Sequence, residues 1–339
     1  MNTFGMKVKA RCFMEYDSVA DLVDIEFEEL ARPVLHIGGG SNLLFTDDFK
    51  GTILHSKINF IEILMDDGQK ETLVSVGAGV VFDDFCDWAA KEGLWGVENL
   101  SYIPGEVGAS AVQNIGAYGV EVKDVIRTVY CYDTIEEEFV NFDVSECEYG
   151  YRDSIFKDSE IRGRYIVTHV VFALSRTPQP KLDYGHLADA VFAASGERES
   201  DKLTPALIRK VIIKIRKDKL PEPSVMGSAG SFFKNPVIDA EHFAKIEATA
   251  KTEHGSDFKV PHYDLPDGTV KVPAAWMIEQ CGWKGRRSGG AAVYDKQPLV
   301  IVNYTGDAYP EEIIGLERRI IESVKTKFGV ELHPEVDHI

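Results

Sequence analysis

Two glycine-rich segments have the composition expected of a site for a phosphorylated ligand. The first reads Gly38-Gly39-Gly40-Ser41-Asn42 and follows a β-type run. Consecutive glycines let backbone N–H groups approach a diphosphate with no Cβ in the way, and the serine and asparagine add side-chain donors. The alternative is an ordinary turn at a strand exit. The spacing is not the GxGxxG pattern of a dinucleotide fold, so a nucleotide here requires another architecture.

The second segment is residues 104–119, which read PGEVGASAVQNIGAYG. It follows Ile103 and carries a small residue at nearly every other position. Small residues pack poorly in a core but allow close approach to a flat ligand or a diphosphate. A structural loop is the alternative. With the first glycine-rich segment upstream, this segment predicts a cofactor cradle.

Arg152 lies in the run Tyr149-Gly150-Tyr151-Arg152-Asp153. Flanking aromatic side chains can hold an arginine rigidly, and its planar guanidinium suits a carboxylate better than a lysine would. The alternative is a surface ion pair with Asp153.

Two further residues have side chains that could move a proton. Ser231 lies between Gly230 and two phenylalanines, outside any GxSxG elbow, so its hydroxyl suits a proton donor or a ligand contact, or else a turn. Glu335 follows Pro334 near the C-terminus and is either a surface acid or a buried carboxylate with a chemical role.

The composition limits the classes of protein that this chain can belong to. Its 339 residues are 44% hydrophobic and 27% charged, as in a globular protein of two or three modules. A net charge of −18 disfavours nucleic acid as a partner. Five scattered cysteines without a CxxC pair suggest reduced thiols and no metal site. We therefore expect a cytoplasmic protein with no signal peptide, no membrane partner and no metal.

Hydrophobic periodicity indicates a mixture of strands and helices without regular βαβ alternation, which favours an α+β fold. Strands are predicted at residues 33–37, 52–55, 58–64, 72–76, 125–132, 165–174 and 299–303, and at the C-terminus around Glu335. Helices are predicted near residues 81–90, 205–215, 241–252, 274–281 and 310–328. Residues 183–205 read as polar and irregular, and residues 219–223 as a domain boundary.

Taken together, the motifs resemble the UDP-N-acetylenolpyruvoylglucosamine reductase (MurB) family over nearly the whole length. The motifs that carry the resemblance are GGGSNLLF at 38–45, the 104–119 segment, YRDS at 151–154, KLPEP at 219–223, GSAGSFFKNP at 227–236 and HPEV at 333–336. A tyrosine-bearing segment around Tyr184 is similar to that of the longer, type I branch.

The resemblance implies a two-subdomain FAD-binding fold of the vanillyl-alcohol oxidase (PCMH) type plus a C-terminal α/β substrate-binding domain. The implied segments are residues 1–56 and 57–202 for the two FAD-binding subdomains, 203–329 for the substrate-binding domain, and 330–339 for a strand that brings Glu335 to the active site. In the implied reaction, NADPH reduces non-covalent FAD, and hydride then passes to C3 of the enolpyruvyl group. Protonation at C2 gives UDP-N-acetylmuramate for peptidoglycan synthesis.

The resemblance also implies residue roles. Arg152 and Glu335 would stabilise the enolate, and Ser231 would protonate C2. The implied substrate contacts are Tyr151, Tyr184, Lys219, Asn235 and Gln297. The implied cofactor contacts are Gly38, Gly39, Gly40, Ser41, Asn42, Pro104, Gly105, Gly108, Ser110, Asn114 and Gly116. The family further implies a monomer whose partners are small molecules.

Two other functions remain open at this point. One is a flavin-dependent oxidase of the same fold, which would pass its electrons to oxygen. The other is a non-catalytic nucleotide-sugar-binding protein.

Overall fold

The computed structural model describes residues 2–196, 199 and 202–339, which form two compact units. We call them the N-terminal unit (Lys9–Gly40 and Asp48–Asp218) and the C-terminal unit (Met1–Val8, Ser41–Asp47 and Lys219–Ile339). Two short N-terminal segments thus belong with the C-terminal part of the chain. The four-segment division expected from the sequence remains a prediction.

The strands within the described residues are, in chain order, β1 (Ala10–Tyr16), β2 (Val34–Ile37), β3 (Leu43–Leu44), β4 (Phe49–Ser56), β5 (Ile61–Asp66), β6 (Thr72–Gly77), β7 (Gly116–Ala117), β8 (Val120–Glu121), β9 (Ile126–Asp133), β10 (Glu138–Asp143), β11 (Tyr165–Leu174), β12 (Gly227–Ser231), β13 (Val237–Ile238), β14 (Tyr263–Asp264), β15 (Val270–Lys271), β16 (Arg287–Ser288), β17 (Ala291–Val293), β18 (Val300–Asn303) and β19 (Asp337–His338).

The helices of the same residues are α1 (Val19–Val23), α2 (Phe82–Lys91), α3 (Val107–Gln113), α4 (Leu187–Ser195), α5 (Pro205–Lys219), α6 (Ala240–His254), α7 (Ala274–Gln280) and α8 (Pro310–Phe328). Helix α8 ends at Gly329, whose left-handed backbone (φ 69°) terminates it as a glycine after a helix commonly does. None of the helices in the described ranges is both long and apolar enough to cross a membrane.

The N-terminal unit contains a parallel three-stranded sheet, ordered β1-β4-β2, and an antiparallel five-stranded sheet, ordered β10-β9-β11-β6-β5. Strand β11 is buried at seven of its ten positions and lies at the centre of the larger sheet. Helix α2 places Phe82, Phe85 and Cys86 into the same apolar core as Phe172 of β11. This core supports the loops that carry the glycine-rich segments.

The C-terminal unit is built on a four-stranded sheet, ordered β12-β18-β17-β16, with a small sheet β13-β15-β14 beside it. Its core includes Phe232, Phe233, Met277 and Ile320, all at most 1% exposed. Burying one phenylalanine side chain contributes roughly 2–3 kcal/mol. The two phenylalanines therefore anchor the chain directly after Ser231.

The sequence predicted seven of these strands and five of these helices, and three predictions were wrong or incomplete. Residues 183–205 were expected to be irregular, but α4 lies there, and the remainder of that stretch falls partly outside the described residues. The 104–119 cradle contains α3, because Val107 and Ala111 bury one face of a short helix. Glu335 lies in a bend before β19 instead of in a strand.

Candidate functional site

The two glycine-rich segments lie against each other in the N-terminal unit. An ideal Cβ on Gly38 would lie 2.9 Å from Cβ of Ala109, and one on Gly39 would lie 3.6 Å from Cα of Gly105. At Gly38 only glycine permits this approach without displacing a neighbour, whereas a Cβ on Gly39 would make an ordinary van der Waals contact. Gly40 and Gly105 adopt positive φ angles, which also favour glycine. The sequence prediction that these segments cooperate is consistent with this packing.

Ser110 and Asn114 of the second glycine-rich segment use their side chains in hydrogen bonds to other residues of the protein. The buried Ser110 hydroxyl donates to the Val107 carbonyl at 2.7 Å, and Asn114 Nδ2 donates to the Gly150 carbonyl at 2.8 Å. A Cβ on Gly108 would lie 2.9 Å from Cβ of Ala78, so this glycine packs α3 against the end of β6. A role for these residues toward a cofactor therefore rests on their backbone groups.

Arg152 is held by carbonyl groups of the second glycine-rich segment. Its two terminal nitrogens donate to the Asn114 carbonyl at 3.2 Å and to the Gly116 carbonyl at 2.6 Å. The guanidinium carbon lies 5.5 Å from the centre of the Tyr151 ring, a cation–π distance. A Cβ on Gly116 would lie 2.9 Å from Arg152 Nη1 and 2.9 Å from the Val120 carbonyl oxygen, so a larger residue there would shift the guanidinium, the backbone or both.

The backbone around Arg152 is strained. Asn114 (φ 47°), Glu148 (φ 46°) and Arg152 (φ 56°) all adopt left-handed conformations without being glycine. Gly150 and Asp153 exchange two backbone hydrogen bonds, at 3.0 and 3.2 Å, which close the turn. Such conformations persist where surrounding contacts enforce them, and they concentrate at functional sites. This observation independently supports the choice of Arg152 from the sequence.

Tyr184 lies over the same segment of the N-terminal unit. Its side chain is 43% exposed, and its ring meets that of Tyr118 edge-on with centroids 5.9 Å apart. Tyr118 is in turn contacted by Arg216 of α5, and burial raises the pKa of the Tyr118 hydroxyl. A Cβ on Gly119 would lie 3.6 Å from Cβ of Tyr184, so this exposed aromatic group lies beside the end of the second glycine-rich segment. The sequence analysis did not identify Tyr118 or Arg216 as residues of a functional site.

Ser231 and Glu335 come together in the C-terminal unit although they are far apart along the chain. The Glu335 amide donates to the carbonyl of Phe232 at 2.8 Å, and the Lys234 amide donates to the carbonyl of His333 at 2.9 Å. The segment after Ser231 is thus paired antiparallel with the segment that ends at Glu335. Both candidates are half-buried, and Gly230 (φ 70°) makes the irregularity in β12 just before Ser231.

Two asparagine side chains hold the segments on which Ser231 and Glu335 lie. Asn42 binds the Glu335 backbone, and Asn235 ties the segment after Ser231 to α7. Asn42 Nδ2 donates to the Glu335 carbonyl at 3.0 Å, and the Asp337 amide donates to the Asn42 carbonyl at 3.0 Å. Asn235 Oδ1 accepts from the Ala274 amide at 2.9 Å, at the first residue of α7. Ser41 and Asn42 therefore belong to the C-terminal unit, whereas the three preceding glycines belong to the other unit.

Two other predicted substrate contacts also lie in the C-terminal unit. Lys219 is exposed at the end of α5, and Gln297 is half-buried in the turn before β18. The Gln297 carbonyl accepts from the Val300 amide at 3.0 Å, and its side-chain oxygen accepts from the Leu299 amide at 3.4 Å. These contacts position the Gln297 backbone at the start of the strand that pairs with β12.

Sequence reasoning missed a buried cluster beside the first glycine-rich segment. His55 of β4 is 1% exposed and is hydrogen-bonded to Glu106 at 2.9 Å and to Glu15 at 2.8 Å. The hydrogen bond to Glu106 is the largest cause of a raised pKa for His55. His36 is hydrogen-bonded to the Tyr16 hydroxyl at 2.6 Å, and burial, with the charge of His55, lowers its pKa to about 4. The sequence feature that could have indicated this cluster is Glu106, a glutamate inside the second glycine-rich segment.

Two protein-family models match parts of this chain. Residues 222–339 match the C-terminal domain of UDP-N-acetylenolpyruvoylglucosamine reductase, and residues 11–135 match an FAD binding domain. UDP-N-acetylenolpyruvoylglucosamine reductase of Bacteroides fragilis (strain YCH46) is 49% identical over 342 residues, covering 100% of this chain and 97% of the relative. The protein of the same name from Porphyromonas gingivalis (strain ATCC 33277) is 45% identical, with 100% and 96% covered.

Among solved structures, the crystal structure of UDP-N-acetylenolpyruvylglucosamine reductase from Thermus caldophilus superposes with a TM-score of 0.66 at 22% identity. The match covers 99% of this chain and 95% of that chain. This similarity concerns the fold. With the FAD binding domain model, it confirms the FAD-binding α+β fold with a C-terminal substrate-binding domain that the sequence predicted.

The N-terminal unit also fits FAD by its own chemistry. Gly38 and Gly39 have no side chains of their own that would keep a diphosphate from their backbone N–H groups. Within the described residues, two buried side-chain atoms beside this region, Glu106 Oε2 and Gln113 Nε2, lack a hydrogen-bond partner. Such atoms are expected where a polar ligand completes the hydrogen bonding.

Proposed function

The chain belongs to the UDP-N-acetylenolpyruvoylglucosamine reductase family, and from this premise we propose that Arg152, Ser231 and Glu335 act on the enolpyruvyl group of its substrate. The enzyme reduces UDP-N-acetylenolpyruvoylglucosamine to UDP-N-acetylmuramate in peptidoglycan synthesis, with NADPH as the source of electrons. FAD, which the two glycine-rich segments would hold, would supply the hydride chemistry between NADPH and C3 of the enolpyruvyl group. The protein must then stabilise negative charge and protonate C2.

Arg152 stabilises the enolate. Its guanidinium is permanently charged and planar, so it can donate two parallel hydrogen bonds to the substrate carboxylate, where negative charge builds up. The two carbonyl contacts hold the group in one orientation before the reaction. A donor that is already oriented needs no reorganisation as the charge develops, and this makes its electrostatic contribution large.

Ser231 protonates C2. A serine hydroxyl is a weak acid in water, but an enolate is a strong base, and a fixed donor at short distance gains from proximity. Phe232 and Phe233, which are 0% and 1% exposed, restrain the backbone that follows Ser231. Proton transfer from the hydroxyl to C2 completes the reduction.

Glu335 supports the same step as a hydrogen-bonding partner of the enolate. Its main chain is fixed by the Phe232 carbonyl and by Asn42 Nδ2. In its protonated form the carboxyl group can donate a hydrogen bond to the developing charge. The pairing of its amide with the residue next to Ser231 is the observation that carries this proposal.

The remaining roles are assigned to binding. Lys219, Asn235 and Gln297 contact the diphosphate or sugar of the substrate, and Tyr151 and Tyr184 are further substrate contacts. FAD is held by Gly38, Gly39, Gly40, Ser41, Asn42, Pro104, Gly105, Gly108, Ser110, Asn114 and Gly116. The exposure of Tyr184 and the close packing of the two glycine-rich segments support this division.

We also propose that the enzyme works in the cytoplasm as a monomer, with small molecules as its partners and without nucleic acid or membrane. The net charge of −18 and five unpaired cysteine thiols support this proposal. Light scattering after size-exclusion chromatography should give a mass near the 37.7 kDa of one chain. A mass of two chains or more would refute the monomer.

Anaerobic half-reactions test the assignment of Arg152. With Arg152→Ala, reduction of the flavin by NADPH should stay close to the wild-type rate, while reoxidation by the enolpyruvyl sugar should slow by about 10²-fold or more. Arg162→Ala, an exposed arginine of the same unit, serves as the control. Equal slowing of both half-reactions in Arg152→Ala would contradict the assignment.

A further inference from the structure

The carboxylate of Glu106 lies where the two glycine-rich segments meet in the N-terminal unit. An ideal Cβ on Gly38 would lie 3.3 Å from Glu106 Oε2, and one on Gly39 would lie 3.8 Å from Oε1. Glu106 is only 9% exposed. A nearly buried acid therefore borders the segment that suits a diphosphate, although a carboxylate repels one.

One oxygen of this carboxylate is engaged and the other is not. Oε1 is hydrogen-bonded to His55 Nε2 at 2.9 Å. Oε2 is buried and has no hydrogen-bond partner among the described residues. Burying a polar atom in this way is unfavourable by roughly 1–3 kcal/mol unless a ligand or solvent completes its hydrogen bonding.

The unpartnered oxygen of the Glu106 carboxylate can accept a hydrogen bond. When His55 is protonated, both of its ring nitrogens donate, one to Glu106 and the other to Glu15 at 2.8 Å. On the neighbouring strand, His36 is hydrogen-bonded to Tyr16 at 2.6 Å and brings no competing donor to Oε2. The partner of Oε2 must therefore be a donor.

FAD has suitable donors on both sides of its diphosphate. The diphosphate is ionised at neutral pH and offers none, but the ribityl chain and the adenosine ribose adjoin it and carry hydroxyl groups. A carboxylate next to a diphosphate-binding segment is thus in range of a hydroxyl. A hydrogen bond to an ionised acceptor is about twice as strong as a neutral one.

We propose that Glu106 Oε2 accepts a hydrogen bond from a hydroxyl group of bound FAD, on either the ribityl chain or the adenosine ribose. His55 positions the carboxylate and, when protonated, balances part of its charge, while Glu15 holds the other ring nitrogen of His55. Glu106 is thereby a cofactor-binding residue in addition to the glycines around it. The inference depends on FAD as the cofactor and is independent of the roles proposed for Arg152, Ser231 and Glu335.

The FAD dissociation constant of the full-length chain tests this proposal. Glu106→Gln keeps the shape of the side chain but removes the charge, and it should raise the dissociation constant about tenfold, measured by equilibrium ultrafiltration. Glu62→Gln, which removes an exposed carboxylate from β5, should leave it unchanged. Urea unfolding of the FAD-free variants separates a binding effect from a loss of stability.

Two outcomes would overturn the proposal. A folded Glu106→Gln variant with unchanged FAD affinity would show that Oε2 makes no useful contact. Tighter binding would show that the carboxylate only repels the diphosphate. Neither outcome would alter the sugar half-reaction that tests Arg152, so the two proposals fail separately.

Fragments of the cofactor identify the source of the hydroxyl. If the ribityl chain donates, Glu106→Gln should weaken binding of FMN but not of ADP-ribose. If the adenosine ribose donates, the reverse should hold. Should the variant fail to fold, a crystal structure of the FAD-bound wild-type enzyme decides: a hydroxyl within about 2.5–3.0 Å of Oε2 supports the proposal, and its absence overturns it.

Discussion

The two units position their candidate residues by different means. In the N-terminal unit, side-chain nitrogens of Arg152 reach carbonyl groups of a tight, left-handed backbone. In the C-terminal unit, Ser231 and Glu335 are brought together by main-chain pairing between two distant segments. The first arrangement depends on a few particular side chains and glycines. The second depends on backbone hydrogen bonds that any residue except proline can make.

This difference predicts which substitutions should displace a candidate catalytic side chain. Around Arg152, a change at a neighbouring residue moves the guanidinium itself, because the neighbour is its partner. Around Ser231, a change in a neighbour leaves the backbone pairing intact, so we expect a large effect only from substitution of a proposed reacting side chain. The following predictions test this contrast, beginning with the largest expected effect.

Ser231→Ala should reduce the sugar half-reaction about 10²- to 10⁴-fold, because it removes the proposed proton donor without disturbing the backbone pairing. Flavin reduction by NADPH should persist, as stopped-flow absorbance under anaerobic conditions will show. Ser228→Ala, in the same strand, is the matched control. An unchanged sugar half-reaction in Ser231→Ala would exclude this serine as the donor.

Gly116→Ala should slow the sugar half-reaction about 10- to 10²-fold, because the new methyl group would lie 2.9 Å from Arg152 Nη1 and displace the guanidinium. Steady-state kinetics with NADPH and the enolpyruvyl sugar can measure the loss. Gly315→Ala on α8, where the methyl group meets open space, should have little effect. Equal activities of the two variants would show that the contact with Gly116 does not position Arg152.

The shifted pKa values of His36 and His55 predict a pH dependence of stability in the N-terminal unit. The pKa of His36 is about 4 in the folded chain against about 6.5 when unfolded, so the unfolded state binds the proton first as pH falls. Stability should therefore decrease from about pH 6.5 to about pH 4, by roughly 3 kcal/mol at most. The raised pKa of His55 acts oppositely, giving stability at low pH that is lost as pH rises.

The variant His36→Gln isolates the first of these two effects. Urea unfolding between pH 4 and pH 6.5 should show a smaller decrease in the free energy of unfolding for the variant than for the wild type. His186→Gln, at an exposed position in the same unit, is the control. Parallel curves for His36→Gln and the wild type would refute the lowered pKa.

Asn114→Ala should lower the free energy of unfolding by about 1–3 kcal/mol, because it removes the bond to the Gly150 carbonyl and places alanine at a φ of 47°. Asn141→Ala on the exposed strand β10 should change it far less. Urea unfolding monitored by circular dichroism measures both. Similar values for the two variants would show that Asn114 does not enforce the turn.

Asn42→Ala should have the smallest effect, about 0.5–1.5 kcal/mol, because it removes one bond to the Glu335 carbonyl while the main-chain pairing remains. Turnover should fall only a few-fold. A loss as large as that of Gly116→Ala would contradict the contrast between the units, since it would make a side chain essential for positioning Glu335.

The elements with strong periodicity were predictable from the sequence. Strand β11 and helix α8 have the predicted bounds, because each has a clear apolar pattern with defined ends. Helix α3 was missed because glycine and alanine dominate it and hide its amphipathic pattern. The membership of residues 41–47 in the C-terminal unit was also out of reach, since it depends on pairing between β3 and β19.

The candidate site was predictable to the extent that motifs mark it. Arg152, Ser231 and Glu335 were chosen from their motifs, whereas the carbonyl partners of Arg152 depend on tertiary contacts that a sequence does not display. The His55–Glu106 pair was missed because a histidine in an apolar strand looks like any other core residue. Local patterns therefore locate reactive side chains more readily than the groups that position them.

The most direct test is a crystal structure of the wild-type enzyme with FAD and the enolpyruvyl sugar bound. We predict the Arg152 guanidinium within hydrogen-bonding distance, about 2.7–3.2 Å, of the substrate carboxylate, with Ser231 Oγ directed at C2 and Glu335 beside it. A complex in which any one of the three side chains lies far from the enolpyruvyl group would contradict the account.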